Sequence, residues 1–110
     1  MTKIEYRPIA MRDKQAIASY IALDLKAPNA ALATIRSIDD ALATLKTIPH
    51  AGTAIDEPRL EQSGYRKIAA AHYWIIYRVD ENCETVFVER IIHQRRNIVP
   101  QMYYDIDFPQ

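Results

Sequence analysis

The residues best equipped for chemistry lie close together in the last quarter of the chain: His93, Arg95 and Arg96, within the run His93-Gln94-Arg95-Arg96-Asn97. An imidazole changes charge near neutral pH and can pass a proton. A guanidinium grips a carboxylate or phosphate through paired donors. The formal net charge is zero, so an anionic or acidic partner would be met by this local patch rather than by the molecule as a whole. Plainer readings stand beside these. His93 reads equally well as a hydrogen-bonded structural histidine, and Arg95 and Arg96 as a solvated terminus or as cations met by Asp105 and Asp107. Cys83 is the single cysteine; it excludes an internal disulfide framework and suits a reducing compartment. His50 and His72 are isolated, and there is no H-x-x-H, C-x-x-C or clustered carboxylate pair, so neither a metal nor a cofactor is expected.

The elements that must carry this cluster can be read from hydrophobic period. Tyr65–Asn97 predicts three consecutive strands, Tyr65–Ala70, His72–Val79 and Thr85–Ile92, with Asp80-Glu81-Asn82-Cys83 as a turn. In the second strand Ile75, Tyr77 and Val79 alternate against Trp74, Ile76 and Arg78. In the third, Val86, Val88, Arg90 and Ile92 alternate against Phe87, Glu89, Ile91 and His93. Trp74 and Tyr77 read first as packing residues, with Tyr77 half-buried and its hydroxyl outward; Trp74 could also dock a partner.

Upstream, Lys3–Arg7 predicts a short strand stopped by Pro8. A helix follows over Ile9–Leu25, its apolar stripe being Ile17, Tyr20, Ile21 and Leu25. Pro28 breaks it. A second helix starts at Pro28 or Asn29 and reaches Leu45, with Leu32, Ile35, Ile38, Leu42 and Leu45 at helical spacing and Ile48 continuing the series. Pro49-His50-Ala51-Gly52 closes it, and Thr53–Gly64 reads as an irregular connection. Two such helices with a short linker form an antiparallel hairpin, and helices of this length need a surface to pack on. The expected fold class is therefore α+β: a helical hairpin on a mostly antiparallel sheet, in the order β-α-α-β-β-β.

A chain of 110 residues with 25% charged and 49% hydrophobic composition suits a single domain over 1–110. Residues 98–110 form a C-terminal tail, rich enough in Met102, Tyr103, Tyr104, Ile106 and Phe108 either to pack back or to await a partner. No run of about 20 apolar residues would span a membrane, and the N-terminus lacks a signal-peptide pattern. A cytoplasmic protein with no membrane partner is expected.

This order, with the residues that fill it, resembles the RelE/ParE superfamily of type II toxin–antitoxin toxins. The resemblance rests on KIEYRPIA opening into the first helix, on Pro49-His50-Ala51-Gly52, on Gly64-Tyr65-Arg66-Lys67 followed by Tyr73-Trp74-Ile75-Ile76-Tyr77-Arg78-Val79, and on Arg90-Ile91-Ile92-His93-Gln94-Arg95-Arg96-Asn97. It implies one of two chemistries. RelE-type members are ribosome-dependent mRNA endonucleases. ParE-type members poison DNA gyrase and hydrolyse nothing, and this growth inhibition serves plasmid stabilisation.

Cleavage of RNA through its 2′-hydroxyl needs a base, an acid, and a cation for the developing phosphorane charge. The resemblance offers Arg66, Lys67, His93 and Arg95 for those roles. It leaves Trp74 where the endonucleases carry an arginine, and their C-terminal tyrosine falls near Pro100, a few residues short of Tyr103 and Tyr104. The ParE-type reading fits better, with target-binding candidates Trp74, Tyr77, Arg90, His93, Arg95, Arg96, Tyr103 and Tyr104. The implied partners are a cognate antitoxin and DNA gyrase, or the ribosome and mRNA in the alternative. Operator DNA would be bound only through the antitoxin complex. A third reading is a member that has lost toxicity and serves as a co-repressor.

Overall fold

A computed structural model describes residues 2–55 and 64–103. Strand β1 spans Lys3–Tyr6 and helix α1 begins at Pro8, running to Ser19. Proline is at home there, since the first-turn amides of a helix have no partner to lose. The helix predicted as continuous to Leu25 changes character at Tyr20. Residues Tyr20–Asp24 form a π turn, closed by the Leu25 amide donating to the Tyr20 carbonyl at 3.0 Å. A π turn holds an extra residue, so three-and-four spacing fails across it. Ile17 and Ile21 are buried as expected, but Tyr20 and Leu25 are 40% and 55% exposed.

Helix α2 spans Pro28–Thr47. Its buried residues are Ala31, Ile38, Leu42 and Leu45, with Ile35 packed against them. Leu32, placed in the core by its size, is 56% exposed. The face that meets the sheet runs through Ala31, one residue and about 100° round the helix. Ile48, beyond the last helical residue, is exposed as well. Lys14 holds the hairpin to β1: its ammonium lies 2.8 Å from Asp39 on α2 and 3.1 Å from the Tyr6 hydroxyl.

The remaining strands are β2 Thr53–Ala54, β3 Arg66–Ala70, β4 Tyr73–Asp80 and β5 Thr85–His93. They form one five-stranded sheet in the order β1-β5-β4-β3-β2, with β1 parallel to β5 and every other pair antiparallel. The connection predicted to be irregular thus contributes a two-residue edge strand, Thr53 and Ala54 facing Lys67 and Arg66.

A bulge corrects the expected alternation of β5. Ile76 faces Arg90 while Tyr77 faces Val88, leaving Glu89 as the extra residue. An added residue reverses which side chains point to which face. Val86, Val88 and Ile91 therefore belong to the core under the helices, with Ile75, Tyr77, Ile38 and Leu45. Ile92 joins Ile76 and Ile55 in a second cluster across the sheet. The chain after the basic run forms a short helix, α3, Ile98–Tyr103. Its Ile98 and Met102 pack on that second cluster. The architecture is the α+β arrangement expected, a helical hairpin on one face of a mostly antiparallel sheet.

Candidate functional site

The end of β5 turns tightly. The Arg96 amide donates to the His93 carbonyl at 2.9 Å, and the Arg95 amide donates to His93 Nδ1 at 3.1 Å. That second bond fixes Nδ1 as an acceptor and turns Nε2 of the ring to the remaining surroundings. Gln94 clamps the turn to the start of β4, its amide donating to the His72 carbonyl at 2.9 Å and its side chain to the Tyr73 carbonyl at 3.2 Å. This brings in His72, which no motif marks, and Tyr73, the first residue of the strand motif quoted above. The His72 ring stacks near His93, centroids 6.4 Å apart, and Tyr73 meets the same ring edge-on at 5.2 Å. The antiparallel pairing of Tyr73 with His93 makes this neighbourhood. Burial first, then the charges of Arg95, His72 and Arg96, push the His93 pKa down. Burial and then Tyr20 push that of Tyr73 up.

This cationic corner is one end of a groove of about 720 Å³ between the helices and the β4–β5 end of the sheet. Ile17, Ile21, Leu25, Ala30 and Ala33 supply apolar walls, and His72, His93 and Arg96 line the polar end together with Asp13, Arg90 and Gln101.

Several other candidates are engaged in holding the fold. Arg90 is 5% exposed. Its Nε and Nη2 donate to the Asp13 carboxylate at 2.7 and 3.0 Å, and Nη1 donates to the Gln101 carbonyl at 2.9 Å. Asp13 also accepts the Ile91 amide at 3.0 Å. Arg90 thus joins α1, β5 and α3 through a bidentate pair, so it is not a free target contact. Tyr77 is 0% exposed, and its hydroxyl, expected to face outward, points in and accepts the Gly52 amide at 3.0 Å. Arg66, expected at a phosphate, spends Nη2 on the carbonyls of Gly52 and His50, at 2.6 and 3.0 Å. Lys67 places its ammonium over the Trp74 ring, 4.2 Å from the centroid. Trp74 packs with the second cluster, whereas His93 meets Tyr73, which belongs to the core under the helices. The predicted site residues thus divide between the two faces of the sheet. Tyr104 and the side chain of Tyr103 lie outside the described residues. Among the described residues no three His, Cys, Asp or Glu side chains are grouped as metal ligands, and no helix is long and apolar enough to cross a membrane.

Solved structures share this fold. The chromosomal ParDE toxin–antitoxin system from P. aeruginosa matches with a TM-score of 0.64 at 20% identity, covering 84% of this chain and 96% of that one. The toxin–antitoxin complex RelBE2 from Mycobacterium tuberculosis matches at 0.58 and 22%, covering 84% and 98%. The isolated E. coli RelE toxin matches at 0.55 and 16%, covering 96% and 97%. The fold is that of the RelE/ParE toxins. A search of the curated proteins finds no match. The model of one family, the ParE toxin of the type II toxin–antitoxin system parDE, matches residues 4–98, and the chain belongs to that family.

Proposed function

We propose that this toxin acts by inhibiting DNA gyrase, through the cationic corner His93–Arg96 and the adjoining C-terminal region, and that a cognate antitoxin neutralises it. One observation carries the preference for gyrase over mRNA cleavage. The cations along the sheet that cleavage would recruit are engaged: Arg66 gives Nη2 to two backbone carbonyls, and Lys67 lies over the Trp74 ring. His93 and Arg95 remain exposed or partly exposed at the corner, suited to grip another macromolecule. The solved ParDE and RelBE2 structures are named as toxin–antitoxin systems, which supports an antitoxin as partner here. With a formal net charge of zero, operator DNA is reached through that partner rather than by this chain.

Controlled expression in cells tests the reading. Gyrase poisoning gives an SOS response and linearised DNA with intact transcripts. Rapid transcript loss with cuts inside codons would replace it with the endonuclease reading. Absence of any growth defect would favour a co-repressor without toxicity.

A further inference from the structure

The face of the sheet turned away from the helices carries a second group of charges. Arg7, which follows β1, and Arg78 of β4 stand on either side of Glu89 in β5, because β1 and β4 both neighbour β5. Both donate Nε to one oxygen, Glu89 Oε2, at 3.2 and 3.0 Å. The Arg7 guanidinium also lies over the Phe87 ring, 4.5 Å from its centroid. The Glu89 side chain is 13% exposed, whereas those of Arg7 and Arg78 are 41% and 39% exposed. The carboxylate is thus sunk between two guanidinium forks that reach water.

The ion pairing at Glu89 is incomplete. Arg90 shows the complete case: Nε and Nη2 span both oxygens of Asp13, Nη1 donates to a carbonyl, and one cation meets one anion. At Glu89 two cations meet one carboxylate through Nε alone. One positive charge is in excess, and the Nη groups of both forks are left to engage another acceptor. The neighbouring charges do not remove that excess. Lys3 and Glu5 share this exposed side of β1 and offset each other. The Asp80 carboxylate is directed to the β4–β5 turn, where Oδ1 accepts the Asn82 and Cys83 amides.

We propose that Arg7 and Arg78 form an anion site that takes a phosphate group, the two forks closing on its oxygens from opposite sides of Glu89. A planar carboxylate matches one fork, as Asp13 matches Arg90. A tetrahedral phosphate presents oxygens in more than one plane, so that forks carried by two different strands can each engage it. Glu89 is the positioning residue. It holds both Nε groups in place, and its own charge weakens the attraction for an incoming anion. The site lies across the sheet from the His93 corner and does not depend on the gyrase reading.

Free phosphate and the backbone of a DNA strand share this chemistry, and titration separates them. The Nε–Hε signals of Arg7 and Arg78 are followed by NMR in the full-length, isotope-labelled protein, first with sodium phosphate and then with a short duplex DNA oligonucleotide. Sodium chloride keeps the ionic strength constant, since salt screens exposed charges. Both signals should move together and saturate. Saturation with phosphate makes the free ion a sufficient ligand, and saturation with the oligonucleotide alone assigns the site to a nucleic-acid backbone; either supports the site. Glu89→Gln should tighten binding by about fivefold, because it keeps an oxygen for the Nε donors and removes the opposing charge. Arg78→Gln should abolish the saturable shift at Arg7, with thermal melts confirming that the variant folds. A purely structural cluster behaves otherwise: Glu89→Gln would loosen the arginines and gain no affinity. The proposal is overturned if neither ligand moves both signals, if sodium chloride alone moves them equally, or if Glu89→Gln binds no tighter than the wild type.

Discussion

The surroundings of Gly52 and of His93 use similar groups to opposite ends. Around Gly52, the Tyr77 hydroxyl and Arg66 Nη2 bond backbone groups of the turn that closes α2. Around His93, imidazoles and guanidiniums gather at the open end of a groove. Arg90 lies between the two regimes: it lines the groove, but its donors are consumed by Asp13 and Gln101. The difference teaches that a basic residue on this sheet is a weaker candidate contact where internal acceptors hold its donors, as Asp13 and Gln101 hold those of Arg90. Substitutions in the first group should act on stability, and those in the second on binding.

The largest expected effect lies at the boundary. Arg90→Ala leaves Asp13 as a largely buried carboxylate short of its partner, which costs about 3 kcal/mol. It also releases the Gln101 carbonyl of α3. Chemical denaturation should show the midpoint falling steeply, and Asp13→Ala should show a comparable loss. If either variant melted like the wild type, Arg90 would not be the structural residue its burial implies.

Gly52→Ala comes next. An added Cβ would stand 2.4 Å from the Lys67 carbonyl oxygen and 2.7 Å from the Tyr77 hydroxyl. Backbone at that distance cannot step aside, so the edge pairing of β2 with β3 must give. A loss of about 2–3 kcal/mol is expected. Tyr77→Phe, which removes only the hydroxyl, should cost about 1 kcal/mol. Thermal melts of the two variants separate the clash from the lost bond. A larger effect for Tyr77→Phe would invert this account.

How much of this was legible follows from the period of each element. The sheet was, because β-branched and aromatic residues crowd Tyr65–Ile92 and the turn residues punctuate them. The helical hairpin was, because Pro8 and Pro28 mark its starts. What escaped were single-residue insertions. Nothing in Val-Phe-Val-Glu-Arg-Ile-Ile announces that Glu89 is extra, yet that residue decides that Ile91 and not Ile92 faces the helices. The π turn likewise exposes Leu25 without altering the composition. Ala31 was overlooked beside the larger Leu32, because size alone does not say which residue faces the sheet. The basic corner could be read from its density. Its companions His72 and Tyr73 could not, since pairing of β4 with β5 brings them there and the motif that Tyr73 opens does not place it beside His93.

Groove-rim residues should behave in the opposite way to Gly52. Leu25→Ser trims a side chain that is 55% exposed, so stability should move by no more than about 0.5 kcal/mol. Leu32→Ser, equally exposed, should stay as close to wild type. A larger loss from Leu25→Ser in a thermal melt would mean that this side chain is packed rather than left in water.

The smallest effect concerns His93 in the free protein. Its folded-state pKa is depressed, by burial first and then by Arg95, His72 and Arg96. The unfolded chain therefore takes up this proton more readily than the native one. The contribution to stability is fully present above the ordinary histidine pKa of about 6.5 and is lost as pH falls from there through the folded value. The ring is only partly buried, so solvent screens the repulsion and the decline is shallow. Melting temperatures measured from about pH 8 to about pH 5 should fall slightly more for the wild type than for His93→Gln, which has no such proton to bind. Parallel pH curves for the two proteins would separate His93 from the electrostatics of its neighbours.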